Sequence, residues 1–191
     1  AHADRVVADH GAAHLIINNA GVALAAPLRT ARHEDFQWLM NIDFWGVVHG
    51  TMAFLPHLER AGEGHIVNIS SVFGIISVPL NGTYNAAKFA VRGFTDSLRM
   101  ELELDGIPVG VTCVHPGGIR TNVARNARVG GGIDGAEIAS EFDKLARTTP
   151  EVCAKTILDG VRKNAPRVLV GPDAHVIDSV QRMAPTGYQA L

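Results

Sequence analysis

The sequence predicts an α/β fold in which a doubly wound parallel sheet is covered by helices on both faces. Short, almost wholly apolar segments alternate with longer segments of helical periodicity along the 191 residues. Strands without polar alternation are typical of a parallel sheet that is buried on both faces. No repeat or low-complexity segment interrupts this pattern, so we expect one domain over residues 1–191 with three layers, α/β/α.

The elements of the first half follow in order. Gly11 ends a helix over DRVVADH, because glycine is common at the C-terminal end of helices. The apolar segment HLIIN predicts a short buried strand, and a long helix is expected over 34–60. The acidic residues at its start interact favourably with the positive end of the helix dipole. GHIVNIS, at 64–70, predicts the next strand.

The second half continues the alternation. Apolar residues at helical spacing predict a helix over 83–104, and PVGVTCVHPGG predicts a strand that ends at a Pro-Gly breaker. Thr149 is a predicted N-cap with Pro150 at the first helical position. The remaining predicted elements are a helix over 149–164, a strand over 167–171 and a last helix over about 173–183.

The loop over 122–149 contains VGGGIDG, whose three consecutive glycines lose much backbone entropy when they are ordered. This loop is expected to be a mobile lid over the substrate, with a helix near 134–147.

Composition excludes several classes of function. The net charge of −2 leaves no basic face for nucleic acid. The longest apolar runs are too short to span a bilayer and no signal peptide opens the chain, so we expect no membrane partner and a cytoplasmic protein. Two cysteines give no disulfide framework, which also favours a reducing compartment. The histidines show no metal-ligand spacing, and no metal is expected.

Ligands of parallel α/β sheets bind beyond the carboxyl ends of the strands, and Tyr84 and Lys88 begin the helix that follows the second of these ends. Side chains four residues apart on a helix are neighbours. A lysine ammonium about 5 Å from a phenol favours the phenolate by roughly 3 kcal/mol, which suits a tyrosine that exchanges protons near neutral pH. Ser71 follows the same strand, and its hydroxyl can hydrogen-bond the reacting oxygen. On its own, a Tyr/Lys pair at this spacing is more often surface packing.

Together the motifs resemble the classical type of the short-chain dehydrogenase/reductase family. They are NNAG at 18–21, the asparagine of MNIDFWG, the spacing S-x(12)-Y-x(3)-K and PGGIRT at 116–121. The resemblance covers almost the whole chain, and it implies a Rossmann-like fold and a nicotinamide cofactor, NAD or NADP. It also implies that the substrate is a small secondary alcohol or ketone.

The resemblance implies a role for each matching residue. Tyr84 would be the acid or base, Ser71 would position the substrate oxygen, and Lys88 would favour the tyrosinate and hold the nicotinamide ribose. Asn41 would anchor a water that relays protons to Lys88. The residues expected to bind the cofactor are Asn18, Ala20, Gly21, Tyr84, Lys88, Pro116, Gly117, Ile119 and Thr121.

The sequence departs from the family at its start, because the strand and Gly-rich turn that bind the pyrophosphate are not present. We therefore interpret the chain as a member whose N-terminal part of the sheet is absent, and the choice between NAD and NADP stays open. The strand HLIIN would lie mid-sheet beside that missing strand.

An alternative is a truncated, non-catalytic member that acts as an interaction module. A third interpretation is an epimerase or dehydratase of the extended relatives, which carry a larger C-terminal part. The apolar residues 72–78 near the site favour a mostly apolar substrate. The family pairs helices like 34–60 and 83–104 across a two-fold axis, so a homodimer or homotetramer is expected.

Overall fold

The computed structural model of the chain describes residues 2–190. Seven α-helices and six strands lie in this part of the chain. The helices are α1 (His2–His10), α2 (His33–Met40), α3 (Gly46–Ala61), α4 (Gly82–Leu104), α5 (Gly135–Leu145), α6 (Pro150–Arg162) and α7 (Pro172–Met183). The strands are β1 (Leu15–Asn18), β2 (Leu24–Ala25), β3 (Gly64–Ile69), β4 (Val109–Pro116), β5 (Arg128–Val129) and β6 (Arg167–Val170).

The main sheet has four parallel strands in the order β1-β3-β4-β6. In β1 Leu15 pairs with His65 of β3, whose Gly64 pairs in turn with Val109 of β4. Cys113 of β4 pairs with Arg167 of β6. Because every strand runs in the same direction, the segments that follow the strands meet at one edge of the sheet. The predicted α/β fold with a parallel sheet is confirmed.

Helices cover the sheet on both faces because neighbouring residues of its strands point to opposite sides. On one face Ile66 and Val111 pack with Leu58 of α3 and Leu102 of α4. On the other face Val67 and Val114 pack with Ile157 of α6 and with the apolar residues of β6. Both central strands are thus buried on both sides, which explains their continuous apolar sequence.

Two features differ from the expected element pattern. The helix predicted over 34–60 is continuous but contains a π-helical turn at Asn41–Trp45. β2 and β5 form a separate two-stranded parallel sheet, which ties the start of the 122–149 segment to the chain after β1. Strands of two residues carry no periodic signal, so the sequence did not predict them.

β1 lies at the edge of the four-stranded sheet, as expected for this strand when the neighbouring Gly-rich strand of the family is absent. Leu15 and Ile17 are 41% and 42% exposed. Within residues 2–190, no helix combines the length and the apolar character needed to cross a membrane.

Candidate active site

Tyr84 and Lys88 lie in the first two turns of α4. The Lys88 ammonium lies 5.3 Å from the centre of the Tyr84 ring, and the Lys88 side chain is buried. Its Nζ donates to the carbonyl of Ile69, at the end of β3, at 3.2 Å. Burial opposes the charge, but Tyr84 and the buried carboxylate of Asp43 outweigh it, so the pKa of Lys88 is raised above its ordinary value. The structure therefore places a charged lysine beside the tyrosine.

Ser71 lies directly after β3 and opens a short 3₁₀ turn over Val72–Gly74. Its hydroxyl accepts a hydrogen bond from the Phe73 amide at 3.1 Å, and the Phe73 ring packs edge-on against Tyr84 at 6.2 Å. The turn can approach α4 closely because Gly74 has no side chain. A Cβ at this position would come within 2.7 Å of the Lys88 carbonyl oxygen. Ser71, Tyr84 and Lys88 thus converge at one edge of the sheet.

Asn41, the expected fourth polar residue, is exposed at the start of the π-helical turn. Asp43 lies beside Lys88 instead. Its Oδ2 is 3.0 Å from Lys88 Nζ, and its Oδ1 accepts from the Val22 amide at 2.8 Å. Asp43 is fully buried, and burial raises the pKa of its carboxyl above the ordinary value while the Lys88 ammonium opposes that rise. Asn41 was expected to serve Lys88, but the residue that the structure places beside Lys88 is Asp43. The sequence signal for Asp43 was an acidic residue within an otherwise apolar helical segment.

The loop after β1 contains the residues expected to line the cofactor. Ala20 and Gly21 are exposed there, and a Cβ on Gly21 would lie 3.5 Å from both Lys88 Nζ and Asp43 Oδ2. Asn18 has a different placement. Its amide donates to Thr51 at 3.1 Å and to Asn68 at 2.8 Å, so it joins β1 to α3 and β3. Its side-chain N–H groups are therefore used within the fold.

The segment over 116–121 follows β4 and is held from two sides. The Gly117 amide donates to the Val170 carbonyl at 2.9 Å, and the Gly118 amide donates to the Asp173 carboxylate at 2.6 Å. A Cβ on Gly117 would overlap that carboxylate, so the residue must be glycine. Ile119 forms a bridge with Thr148, and Thr121 is exposed just before the segment over 122–149. Asp173 was missed because it lies far from this motif in the sequence.

His115, at the end of β4, is a buried side chain that the sequence interpretation also missed. Its Nδ1 lies 2.8 Å from the Ser71 carbonyl oxygen, to which it donates, and its Nε2 has no hydrogen-bond partner among the described residues. Burial lowers the pKa of His115 to about 4, so the ring is neutral at pH 7. The hydrogen bond from neutral His115 holds the main-chain carbonyl of Ser71 in place.

The site's donors fit the nicotinamide end of a dinucleotide. An ammonium has three N–H donors. Lys88 directs one toward Asp43 and one toward the Ile69 carbonyl, which leaves one donor for a ligand beside the loop that contains Gly21. The hydroxyls of Ser71 and Tyr84 add neutral donors for an alcohol or carbonyl oxygen. Among the described residues, no group of three acidic, histidine or cysteine side chains could hold a metal ion.

Comparisons with known proteins identify a family and proteins of similar sequence and fold. Residues 1–130 match the family model described as short chain dehydrogenase. The chain is 53% identical over 192 residues to a protein named Putative oxidoreductase SadH from Mycobacterium tuberculosis, covering 100% of this chain and 70% of the relative.

Two solved structures are similar in fold. A short-chain dehydrogenase/reductase from Burkholderia phymatum in complex with NAD superposes with a TM-score of 0.85 at 24% identity, over 96% of this chain and 70% of that chain. A short-chain dehydrogenase from Burkholderia cenocepacia in complex with NADP gives a TM-score of 0.79 at 23% identity, over 98% of this chain and 72% of that chain.

Proposed function

Because the chain belongs to the short-chain dehydrogenase family, we propose that it acts as an NAD(P)-dependent oxidoreductase that interconverts a secondary alcohol and a ketone. The observation that carries the proposal is the buried, charged Lys88 beside Tyr84, with Ser71 at the same edge of the sheet. Tyr84 exchanges the proton of the substrate oxygen, and Ser71 holds that oxygen by a hydrogen bond. The nicotinamide, when bound, supplies or accepts the hydride.

Lys88 has two roles in this proposal. Its positive charge favours the tyrosinate form, and its ammonium hydrogen-bonds the ribose of the nicotinamide. The loop with Ala20 and Gly21 and the segment over 116–121 would hold the nicotinamide when it binds. NAD and NADP each occur in a solved structure of this fold, so the proposal covers both cofactors.

The substrate is proposed to be small and mostly apolar. Of the apolar residues after Ser71, Val72 and Ile75 are buried in the core and do not face a ligand. Phe73, Ile76 and Val78 are only partly buried, and the Phe73 ring packs edge-on against Tyr84. Three apolar side chains and few nearby charges favour an aliphatic or aromatic carbonyl compound over a charged metabolite.

The test is a comparison of Tyr84→Phe with Tyr188→Phe in the full-length natural protein, because these are the two tyrosines of the sequence. Turnover is followed through the absorbance of reduced nicotinamide, with both cofactors and a panel of apolar ketones. Tyr84→Phe should reduce turnover by about a hundredfold to ten-thousandfold, since it removes the proton-exchanging hydroxyl. Tyr188→Phe removes a hydroxyl that accepts from the Ser77 amide at 3.2 Å and takes no part in the proposed proton exchange, so this variant should retain most of the activity.

Near-normal turnover in folded Tyr84→Phe would reject the proposed role of this hydroxyl. A folded wild-type protein without turnover for any pair of cofactor and substrate would instead favour the interaction module.

A further inference from the structure

Asp43 is a buried carboxylate for which the proposed chemistry has so far supplied no role. Its side chain has no exposed surface, and it comes from the π-helical turn between α2 and α3. Oδ1 accepts from the Val22 amide, and Oδ2 lies 3.0 Å from the Lys88 ammonium, its one ionic contact among the described residues. The negative charge of this oxygen favours a cation at the position of the Lys88 ammonium.

Lys88 depends on a counter-ion because an ammonium buried alone loses its proton easily. Three titratable groups have the largest influence on the charge of Lys88. Tyr84 comes from α4 itself, Asp43 comes from the π-helical turn, and Cys113 comes from β4. Burial raises the pKa of Cys113 to about 12, so this thiol is neutral. Among the described residues, Asp43 therefore provides the one carboxylate within ion-pair distance of Lys88.

We propose that Asp43 is a positioning residue that keeps the Lys88 ammonium charged and fixed between the loop after β1 and the tyrosine of α4. The ion pair joins three segments, because Val22 belongs to the loop after Gly21, Asp43 to the π-helical turn and Lys88 to α4. The inference rests on the proposed function in one respect, namely that Lys88 serves the active site.

The charge of Lys88 can be measured without turnover. The sequence has four lysines, Lys88, Lys144, Lys155 and Lys163, so the ¹³C-labelled Cε signals of these residues are few. The signal that disappears in Lys88→Met identifies Lys88 in the full-length protein. Its chemical shift, followed against pH, gives the midpoint at which the ammonium loses its proton.

Asp43→Asn removes the negative charge but retains an oxygen that can accept from the Val22 amide. We expect the midpoint of Lys88 to fall by about two pH units, a hundredfold change in proton affinity, because the buried ammonium loses its counter-ion. Asp159→Asn is the matched control in the same spectrum. It removes the carboxylate that lies 2.7 Å from Lys155, a residue whose side chain is 78% exposed. That exposed pair does not include Lys88, so the Lys88 midpoint should stay unchanged in Asp159→Asn.

A Lys88 midpoint that stays unchanged in Asp43→Asn would overturn the proposal. If Asp43→Asn does not fold, Asp43→Asn/Lys88→Met provides a second measurement, because it removes both charges of the pair. The double variant should then fold, since neither charge is left buried alone. A double variant that also fails to fold would contradict the ion pair's role. A lowered Lys88 midpoint in a protein without oxidoreductase turnover would support this inference and reject the proposed function.

Discussion

His115 gives the protein a specific sensitivity to acid. Its native pKa is about 4 because the ring is buried, whereas an unfolded histidine titrates near 6.5. Between these values the unfolded chain binds a proton that the native chain does not. Stability should therefore be retained above about pH 6.5 and fall as the pH is lowered toward 4, by up to about 3 kcal/mol from this residue. Urea denaturation at several pH values in this range measures the loss.

His115→Asn provides the control for that prediction. Its amide nitrogen can donate to the Ser71 carbonyl as the Nδ1 of His115 does, but the amide does not titrate. The variant should lose less stability between pH 6.5 and 4 than the wild type. Burial also lowers the pKa of His65, so part of the dependence should remain. An identical pH dependence in both proteins would show that His115 is not its source.

Gly50 marks the closest approach of α3 to β1. A Cβ at this position would overlap Oδ1 of Asn18, whose amide is held by Thr51 and Asn68 and cannot move without breaking those bonds. Gly50→Ala should destabilise the protein by about 1–3 kcal/mol despite the better helix propensity of alanine. The midpoint of urea denaturation measures the effect.

Gly46→Ala is the matched control, one turn earlier in the same helix. A Cβ at position 46 would meet only the Asn41 carbonyl at 3.8 Å, an ordinary contact. This variant should be neutral or slightly stabilising, because alanine is the better helix former. Equal effects of the two substitutions would show that the contact with Asn18 is not restrictive.

At the level of the elements, the π-helical turn decides which side chain reaches the site. The apolar periodicity predicts a helix over 34–60 correctly, because packing against the sheet requires an apolar stripe. It does not reveal a local change from α-helical to π-helical hydrogen bonding, which alters the face on which each residue lies. Asn41 was expected because the asparagine of MNIDFWG resembles the helix asparagine of the family, whereas Asp43 is the residue beside Lys88.

The predictable part of the site is the part held by local sequence. Tyr84 and Lys88 share one helix, and Ser71 follows one strand, so spacing alone brings them to one edge of the sheet. The contacts of His115 with Ser71 and of Asp173 with Gly118 join residues that are 44 and 55 positions apart. Such contacts depend on tertiary packing, which no local pattern encodes.

The segment over 122–149, the proposed lid, is attached near its start. The amides of Arg128 and Gly130 donate to the carbonyls of Ala23 and Ala25, and the Arg128 guanidinium stacks on Trp38 at 3.6 Å. It also pairs with Asp35 at 3.0 Å. These contacts anchor β5, so motion of the lid should be concentrated in the glycines that follow it.

Arg128→Ala should loosen this anchor. We expect hydrogen exchange at the Gly130 amide to become about tenfold faster, because the stacking and ion-pair contacts with α2 are lost. Arg125→Ala is the matched control in the same loop, since Arg125 pairs only with the exposed Asp143 and Asn122. It should leave exchange at Gly130 within about threefold of the wild type. Slow exchange at Gly131 and Gly132 in the wild type would argue against a mobile lid.

At the level of the whole molecule, one surface carries more apolar side chains than a lone chain needs. It comprises Trp45, Met52, Phe89 and Met100, whose exposed fractions are 47%, 62%, 39% and 57%. They lie on the two long helical segments that the family pairs across a two-fold axis. A contact between identical copies would bury this surface. We therefore propose a homodimer or homotetramer.

Trp45→Glu/Met52→Glu should convert the assembly to monomers, because four glutamates would face each other across each two-fold contact. Light scattering at micromolar concentration measures the mass. Val176→Glu is the control, since Val176 is 62% exposed on α7 and lies outside this surface. A wild-type monomer, or a double glutamate variant that stays assembled, would contradict the proposed interface.

The parallel order of the sheet also has a consequence for the chain while it is being synthesised. Leu15 of β1 pairs with His65, fifty positions further along, and β1 makes no strand pairing with any earlier or nearer segment that the structure describes. At a translation rate of roughly 5–20 residues per second, the apolar β1 strand waits roughly 3–10 s before its partner β3 has been made. During that interval β1 cannot form its pairing with β3, so the yield of folded protein should depend on how quickly the ribosome advances from β1 to β3.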